Sequence, residues 1–357
     1  MKQLTFPLLL EPKAMKRMEI FPLMRYMGSK YKLIPWLHET FSELEFDSAL
    51  DAFSGSGVVS YLLKSMGKEV HSNDFLTFSA TITKALVENN STLIEKSDID
   101  FLLNLEVKSD NFIETTFENI FFTRDELIFL DKISQNISEL TSPYKKALAL
   151  TALFRSCLKK QPRGVFTISG NLEKYDDGRR DLKLSLKEHF LEQTKLNNKV
   201  IFDNSKRNVS YNENIFELKN PNLSPDLVYF DPPYVPPSDD NCYVKRYHFL
   251  EGLSKYWHGE KIMKETKVKK IQKKFTPFSY KKTAIQAFES LFDQFSESTL
   301  VLSYSSNAFP DLETLVSLMK NEKSNVEIKS KPHRYHFGNH ATALRSNVME
   351  YLIIGRD

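Results

Sequence analysis

At 357 residues, with 41% hydrophobic and 12% aromatic side chains, the chain can bury one large or two ordinary cores, which excludes a structureless polypeptide. With 49 basic against 46 acidic residues, the formal charge is +3, too small by itself to argue for a polyanionic partner. Cys157 and Cys242 lie far apart with no CxxC spacing, which excludes a disulfide framework or a cysteine zinc site and fits a reducing cytoplasm.

The first apolar stretch, FPLLL, is too short for a signal segment and runs at once into Glu11, Lys13, Lys16 and Arg17. No later apolar run approaches the roughly 18 residues of a membrane span, so a soluble protein without membrane contact is expected. SALDAF (48–53) predicts a short buried strand, GVVSYLLKSMG (57–67) a helix ending at Gly67, and EVHSND (69–74) a second strand closed by an acid. From about residue 76 to 197 the pattern is mostly helical. Ser142 is an N-cap there, with Pro143 at the first helical position. Strands return at 208–212, 226–230, 299–304, 325–330 and 347–354. The expected fold is α/β: a doubly wound, Rossmann-like sheet split by a mostly helical insertion and closed by a terminal hairpin.

Two turns carry the chemistry. In DAFSGSG, Gly55 and Gly57 follow the first strand, where glycine lets the backbone turn tightly and approach a ligand, and Phe53 and Ser54 lead into them. Asp74 then closes the second strand, where a carboxylate can accept ribose hydroxyls. The third glycine of GxGxxG is replaced by Ser60, which disfavours a dinucleotide. S-adenosylmethionine, a nucleoside with a carboxylate and no pyrophosphate, fits better.

The second turn is VYFDPPY. Asp231 follows an apolar strand, Pro232 and Pro233 stiffen the loop while leaving carbonyls free to accept, and Tyr234 adds a ring. Such an acceptor-rich loop suits an exocyclic amine. Asp231 and the Pro232 carbonyl would draw on its N–H bonds, sharpening the nitrogen lone pair and stabilising the charge that develops there, while Tyr234 stacks on the base. A base inside a duplex must be turned out to reach the loop.

These residues together resemble the Dam-like class of DNA adenine-N6 methyltransferases, in the alpha motif order. Its aromatic-x-G-x-K motif is matched by Tyr26, Gly28 and Lys30, its FxGxG by Phe53, Gly55 and Gly57, its strand-closing acid by Asp74, and its DPPY by residues 231–234. The resemblance implies that Tyr26, Lys30, Asp74 and Asp231 line an S-adenosylmethionine pocket and that the DPPY residues also hold the target amine. It implies Asp51 as a further pocket residue, although Ala52 replaces the proline of many relatives. The family's acid before the DPPY strand corresponds to Asn214, an amide here. It also implies double-stranded DNA as substrate, and a restriction-modification role with a separately acting endonuclease.

The expected organisation is a catalytic domain of residues 20–79 and 198–357, a helical target-recognition insertion at 80–197, and a basic DNA-contacting excursion at 238–282. KKQPRG (159–164) and GRRDLK (178–183) are candidate phosphate contacts in the insertion. In the excursion, Glu265 is the sole acid among nine lysines from 261 to 282, beside Phe275, Phe278 and Tyr280. YHFLEGLSKYW (247–257) has helical spacing and is expected to pack. His333, His336 and His340 are set aside as a metal site, because Pro332 and Gly338 argue against a helix there. Methylation of another amine (cytosine N4, an RNA base or a protein glutamine) and a non-catalytic DNA-binding subunit are the competing expectations. A monomer or weak dimer is expected.

Overall fold

A computed structural model describes residues 13–162, 164–167, 178–218, 223–235, 243–336 and 345–357. Glu11, Cys242, Gly338 and His340, named above, and Arg163 of KKQPRG lie outside the described residues. The sheet contains β1 (Ser48–Asp51), β2 (Glu69–Asn73), β3 (Val209–Tyr211), β4 (Leu227–Phe230), β5 (Thr299–Ser305), β6 (Asn325–His336) and β7 (Arg345–Arg356), in the order β3-β2-β1-β4-β5-β7-β6. The first five in that order pair in parallel, and β7 runs antiparallel to both β5 and β6. The expected strands and the closing hairpin are therefore present. From β1 the chain winds outward to β2 and β3, then returns to place β4 on the other side of β1. That reversal opens a crevice at the carboxyl ends of β1 and β4, where ligands of doubly wound sheets bind.

Period-two alternation divides the central strands between two cores. Ala49, Leu227, Tyr229 and Val301 face one core; Leu50, Val228, Phe230, Leu300 and Leu302 face the other. The helices are α1 (Lys13–Ile20), α2 (Ile34–Ser42), α3 (Val58–Ser65), α4 (Thr77–Thr83), α5 (Lys96–Leu102), α6 (Phe112–Thr116), α7 (Arg124–Glu139), α8 (Pro143–Lys160), α9 (Arg180–Lys183), α10 (Leu186–Val200), α11 (Tyr243–Ser254), α12 (Lys281–Gln294) and α13 (Leu312–Glu322). Helices α12 and α13 cover the second face with Phe288, Leu291, Leu315 and Met319. The first face is covered by α2, α3 and the helical region.

Local chemistry sets the helix starts. Ser142 Oγ accepts from Lys145 N at 3.3 Å, with Pro143 opening α8, as the sequence predicts. Capping boxes pairing Thr123 with Glu126 and Ser185 with Glu188 start α7 and α10. No helix among the described residues is long and apolar enough to cross a membrane.

The helical region does not pack as a detached unit. Leu130, Phe154 and Leu158 share one continuous core with Leu62, Phe78 and Tyr229 of the sheet half, and the 79/80 boundary drawn from the sequence falls inside α4. The segment after DPPY joins that core as well. Phe249 lies 5.0 Å from Phe166 and 5.2 Å from Trp257, and Trp257 lies 4.9 Å from Phe117. Gly252 is required here, since a Cβ would sit 2.2 Å from the Trp257 ring. Residues 243–271 thus pack against the helical region through Phe249 and Trp257 and against Tyr26 and Phe78 through Tyr247. Tyr247, Leu250 and Leu253 are buried, as their spacing predicts.

Candidate active site

Three neighbouring strands each deliver a carboxylate to one cleft. Asp51 ends β1, Asp74 follows β2, and Asp231 follows β4, and all three line a cleft of about 560 Å³ together with Tyr26, Lys30, Phe53, Ser54 and Gly55. The sheet register makes them neighbours: Asp51 pairs with Tyr229 on one side and with Ser72 on the other. The α/β winding thus gathers residues 180 positions apart in sequence.

Asp51 is buried, and its Oδ2 accepts from Ser60 Oγ at 2.6 Å. The serine standing where GxGxxG has its third glycine is thus used as a donor. Asp51 Oδ1 has no partner among the described residues. Burial raises the Asp51 pKa to about 7, against the Ser60 hydrogen bond, and the charges of Asp231 and Asp74 add to the rise. Asp74 is also raised to about 7 by burial; its Oδ2 accepts from Gly55 N at 2.8 Å and its Oδ1 from Leu76 N at 2.9 Å.

Gly55 adopts φ +50°, and a Cβ there would stand 2.9 Å from the Tyr26 ring, so the turn needs glycine on two counts. Tyr26 stacks on Tyr247 at 5.1 Å and 3°, and the Tyr247 hydroxyl accepts from Met27 N at 2.7 Å. Helix α11 therefore holds the 26–30 turn against the cleft. Phe53 meets Phe278 edge-on at 5.4 Å.

The DPPY loop is tied to Lys30. Its ammonium, 3% exposed, lies 2.9 Å from Asp231 Oδ1 and donates to the Tyr234 hydroxyl at 3.0 Å. The Tyr234 hydroxyl in turn donates to Asp231 Oδ1 at 2.9 Å, and the ring is met edge-on by Tyr304 at 4.9 Å. Burial raises the Asp231 pKa, opposed by Lys30 and Tyr234. Both of those partners use Oδ1. Oδ2 has no hydrogen bond among the described residues, and the side chain keeps 18% exposure. The site can accordingly accept hydrogen bonds from a cationic or N–H-bearing ligand while Lys30 holds one aspartate oxygen fixed.

A family model described as D12 class N6 adenine-specific DNA methyltransferase matches residues 26–305. The chain belongs to that family. The enzyme is 30% identical over 328 residues to the type II methyltransferase M2.HphI of Haemophilus parahaemolyticus, covering 88% of this chain and 92% of that relative. It is 28% identical over 338 residues to modification methylase StsI of Streptococcus sanguinis and 27% identical over 359 residues to type II methyltransferase M.FokI of Planomicrobium okeanokoites. Those matches take in 87% and 92% of this methyltransferase but only 48% and 52% of the two relatives, so the chain spans about half their length.

Of the residues singled out from the sequence, Tyr26, Lys30, Asp51, Phe53, Ser54, Gly55, Asp74, Asp231 and Pro233 line the cleft of the methyltransferase. Gly57, Pro232 and Tyr234 are not among its lining residues; Gly57 N donates to Ser54 O across the glycine turn, and Tyr234 reaches the cleft through Lys30 and Asp231. Asn214 does not line it. Its side-chain oxygen caps a single 3-10 turn by accepting from Phe216 N at 3.4 Å, and its amide donates to Glu217 Oε1 at 3.2 Å. The sequence reading missed Glu350, fully buried on β7 with Oε2 4.0 Å from Lys30 Nζ. A lone acid inside the apolar run NVMEYLII was the available signal. It also missed Tyr243, which lines the cleft, and gave Tyr247 a packing role alone.

The basic residues of the insertion are largely paired within the protein, and one lysine of the 261–282 run, Lys274, is paired as well. Lys160 meets Glu126 at 2.9 Å, Arg180 pairs with Glu192, Lys159 meets Asp181 at 3.2 Å, and Lys274 meets Glu251 at 3.1 Å. Lys261, Lys267 and Lys282 are exposed, with no ion pair among the described residues.

Proposed function

We propose that this adenine-specific DNA methyltransferase uses S-adenosylmethionine as donor and acts on an adenine turned out of duplex DNA. The observation that carries the reading is the ring of three strand-end carboxylates about one cleft, with a buried Asp51 oxygen that lacks a partner among the described residues. An unpartnered buried carboxylate oxygen suits a cationic ammonium, and Asp74, with one backbone amide on each oxygen, retains lone pairs for ribose hydroxyls. The space that a Cβ on Gly55 would fill allows close approach of a ligand. The residues present therefore fit the donor molecule: Asp51, Asp74, Tyr26, Phe53 and Gly55 would hold it. When bound, S-adenosylmethionine supplies a methyl group activated by its sulfonium.

The chain's own residues then act on the amine. Lys30 and Tyr234 fix Asp231 through Oδ1, leaving Oδ2 to accept from one N6–H while the Pro232 carbonyl accepts from the other. Both hydrogen bonds strengthen as positive charge develops on nitrogen, so they favour the transition state over the ground state. Asp231 Oδ2 is the atom in line to receive the proton that the methylated nitrogen sheds. Tyr234, pinned at its hydroxyl end, is the stacking partner for the base. Extrusion of the base is required because N6 of an adenine stacked inside a duplex cannot reach the loop that follows β4. The helical half, with residues 243–271, is the target-recognition surface.

Relatives named type II methyltransferases and modification methylases support a place in a restriction-modification system; a separately acting endonuclease, the cytoplasm as compartment and a monomer or weak dimer complete the proposal. The deciding experiment is transfer of labelled methyl from S-adenosylmethionine to mixed-sequence duplex DNA with nucleoside analysis and an RNA control. N6-methyladenine is expected in the duplex alone. Label in cytosine, in RNA or nowhere would overturn the reading.

A further inference from the structure

We infer that Phe275, stacked on Tyr280 at the rim of the cleft, places its ring in the gap that the extruded adenine leaves in the duplex and stacks there on a neighbouring base. The inference rests on the duplex-DNA reading above and adds a residue that touches the DNA outside the pocket. Phe275 is 67% exposed, the most exposed of the large apolar side chains among the described residues. Its ring lies nearly parallel to that of Tyr280, with centroids 5.7 Å and planes 11° apart, and Tyr280 is itself exposed. Such a pair presents an apolar π face that water solvates poorly and a flat aromatic partner covers well.

Topology and packing both put the pair beside the reaction centre. Strands β4 and β5 are parallel neighbours, so the chain joining them must travel back along the sheet. Helix α12, the last before β5, therefore starts on the side of the carboxyl ends, where the cleft opens, and Tyr280 is the residue directly before it. In the same segment Phe278 meets Phe53 of the cleft edge-on at 5.4 Å. Lys281 Nζ lies 5.6 Å from the Phe309 ring, and Phe309 bridges to Val235, the residue after DPPY. The 275–281 segment is thus tied to both the glycine turn and the DPPY loop. Phe275 is not among the residues lining the cleft, so the base it meets is one outside the pocket.

The ring is carried on a stiff support. Phe278 is buried, stacked on Phe216 at 5.7 Å and met edge-on by Phe288 at 5.3 Å. Pro277 opens a single 3-10 turn with its φ fixed, and the Thr283 hydroxyl donates to the Pro277 carbonyl at 2.7 Å. Lys273 Nζ lies 4.8 Å from the Tyr280 ring and steadies it from the same run of chain. Turning an adenine out of a duplex leaves base faces without their stacking partner, and an aromatic ring entering the space restores one of those stacks. Every base has a π face, so this contact favours extrusion without reading the site.

Two duplexes test this, both carrying the site located by sequencing the methylated product. In one the target adenine is paired with thymine; in the other it faces a mismatched base, which lowers the cost of extrusion. Single-turnover methyl transfer by the full chain is measured on each at saturating DNA. Phe275→Ala should slow transfer to the paired duplex by roughly 10- to 100-fold, the loss of one base–aromatic stack, and to the mismatched duplex by only about a few-fold. Phe275→Trp should stay close to wild type on both, since it keeps a flat ring. A damaged fold would slow both duplexes alike and lower the melting temperature. An unchanged rate on the paired duplex, or equal losses on the two, overturns the stacking role and leaves the duplex reading standing. If wild type methylates adenine in neither duplex, that reading falls and the inference falls with it.

Discussion

Asp131 on α7 and Asp51 at the end of β1 are each 1% exposed, yet their surroundings differ in kind. In the helical half, Asp131 Oδ1 accepts from Ile113 N at 2.8 Å and from the Tyr256 hydroxyl at 2.5 Å, and Oδ2 accepts from Glu114 N at 2.9 Å. Glu251, fully buried on α11, is similarly satisfied by Phe78 N, Lys255 and Lys274. At the strand ends, among the described residues, Asp51 keeps an oxygen with no partner and Asp231 keeps Oδ2 open. A buried carboxylate with its lone pairs filled fastens one segment to another; one left short is held at a cost that only a ligand offsets. Burial alone does not separate the two kinds of acid.

The largest effect should come where the open oxygen meets chemistry. Asp231→Ala is expected to lower turnover by at least about 10³-fold, since it removes an acceptor that strengthens in the transition state. DNA affinity should stay within a few-fold of wild type, because Asp231 acts on the amine and not on phosphate. Single-turnover methylation alongside duplex binding measures both; retained turnover removes Asp231 from the mechanism. The opposite pattern is expected for Asp131→Ala. Three donors lose their acceptor, which should cost roughly 3 kcal/mol in a denaturant melt and leave turnover per folded molecule unchanged.

A smaller effect distinguishes the two acids by pH. Burial raises Asp51 from the ordinary 3.8 to about 7, so the folded protein disfavours its charged form. The stability associated with the protonated group is complete below about pH 4 and is lost as pH rises to about 7. Between about pH 5 and about pH 8, wild type should therefore lose more stability than Asp51→Asn, by at most about 3 kcal/mol. Asp74 contributes a loss of the same sign that remains in both proteins. Equal losses in the two melts would mean that Asp51 already has a counter-charge.

Much of this was legible in the sequence. The strand, glycine turn, helix and acid of residues 48–74, and the strand running into DPPY, are local patterns whose periodicity and turn residues fix backbone shape wherever they occur. They placed Asp51, Gly55, Asp74 and Asp231 correctly at strand ends. What stayed hidden is what non-local packing decides. Asn214 has the right position in the chain, but the 3-10 turn it caps directs its side chain to Phe216 N and Glu217. Glu350 reaches Lys30 only because β7 lies beside β5, a pairing that no local pattern states. The lysine-rich run looked like a uniform phosphate surface because the acids that pair with Lys274, Glu251 and Glu260, lie outside it in sequence.

That last point gives the smallest prediction. Lys274 Nζ lies 3.1 Å from Glu251 and 3.6 Å from Glu260, so its charge already belongs to the helical half. Lys282 is exposed, in the first turn of α12, with no ion pair among the described residues. Lys274→Gln should lower stability by about 1–2 kcal/mol, since it leaves Glu251 buried with one cation fewer, and it should leave the salt dependence of duplex binding unchanged. Lys282→Gln should do the reverse, with stability unchanged and the salt slope shallower by up to about one. Two lysines eight positions apart in one basic run would then separate cleanly, one fastening the fold and the other facing DNA. A shallower slope for Lys274→Gln would mean that DNA draws this lysine away from Glu251, and the satisfied acids of the helical half would then share in binding.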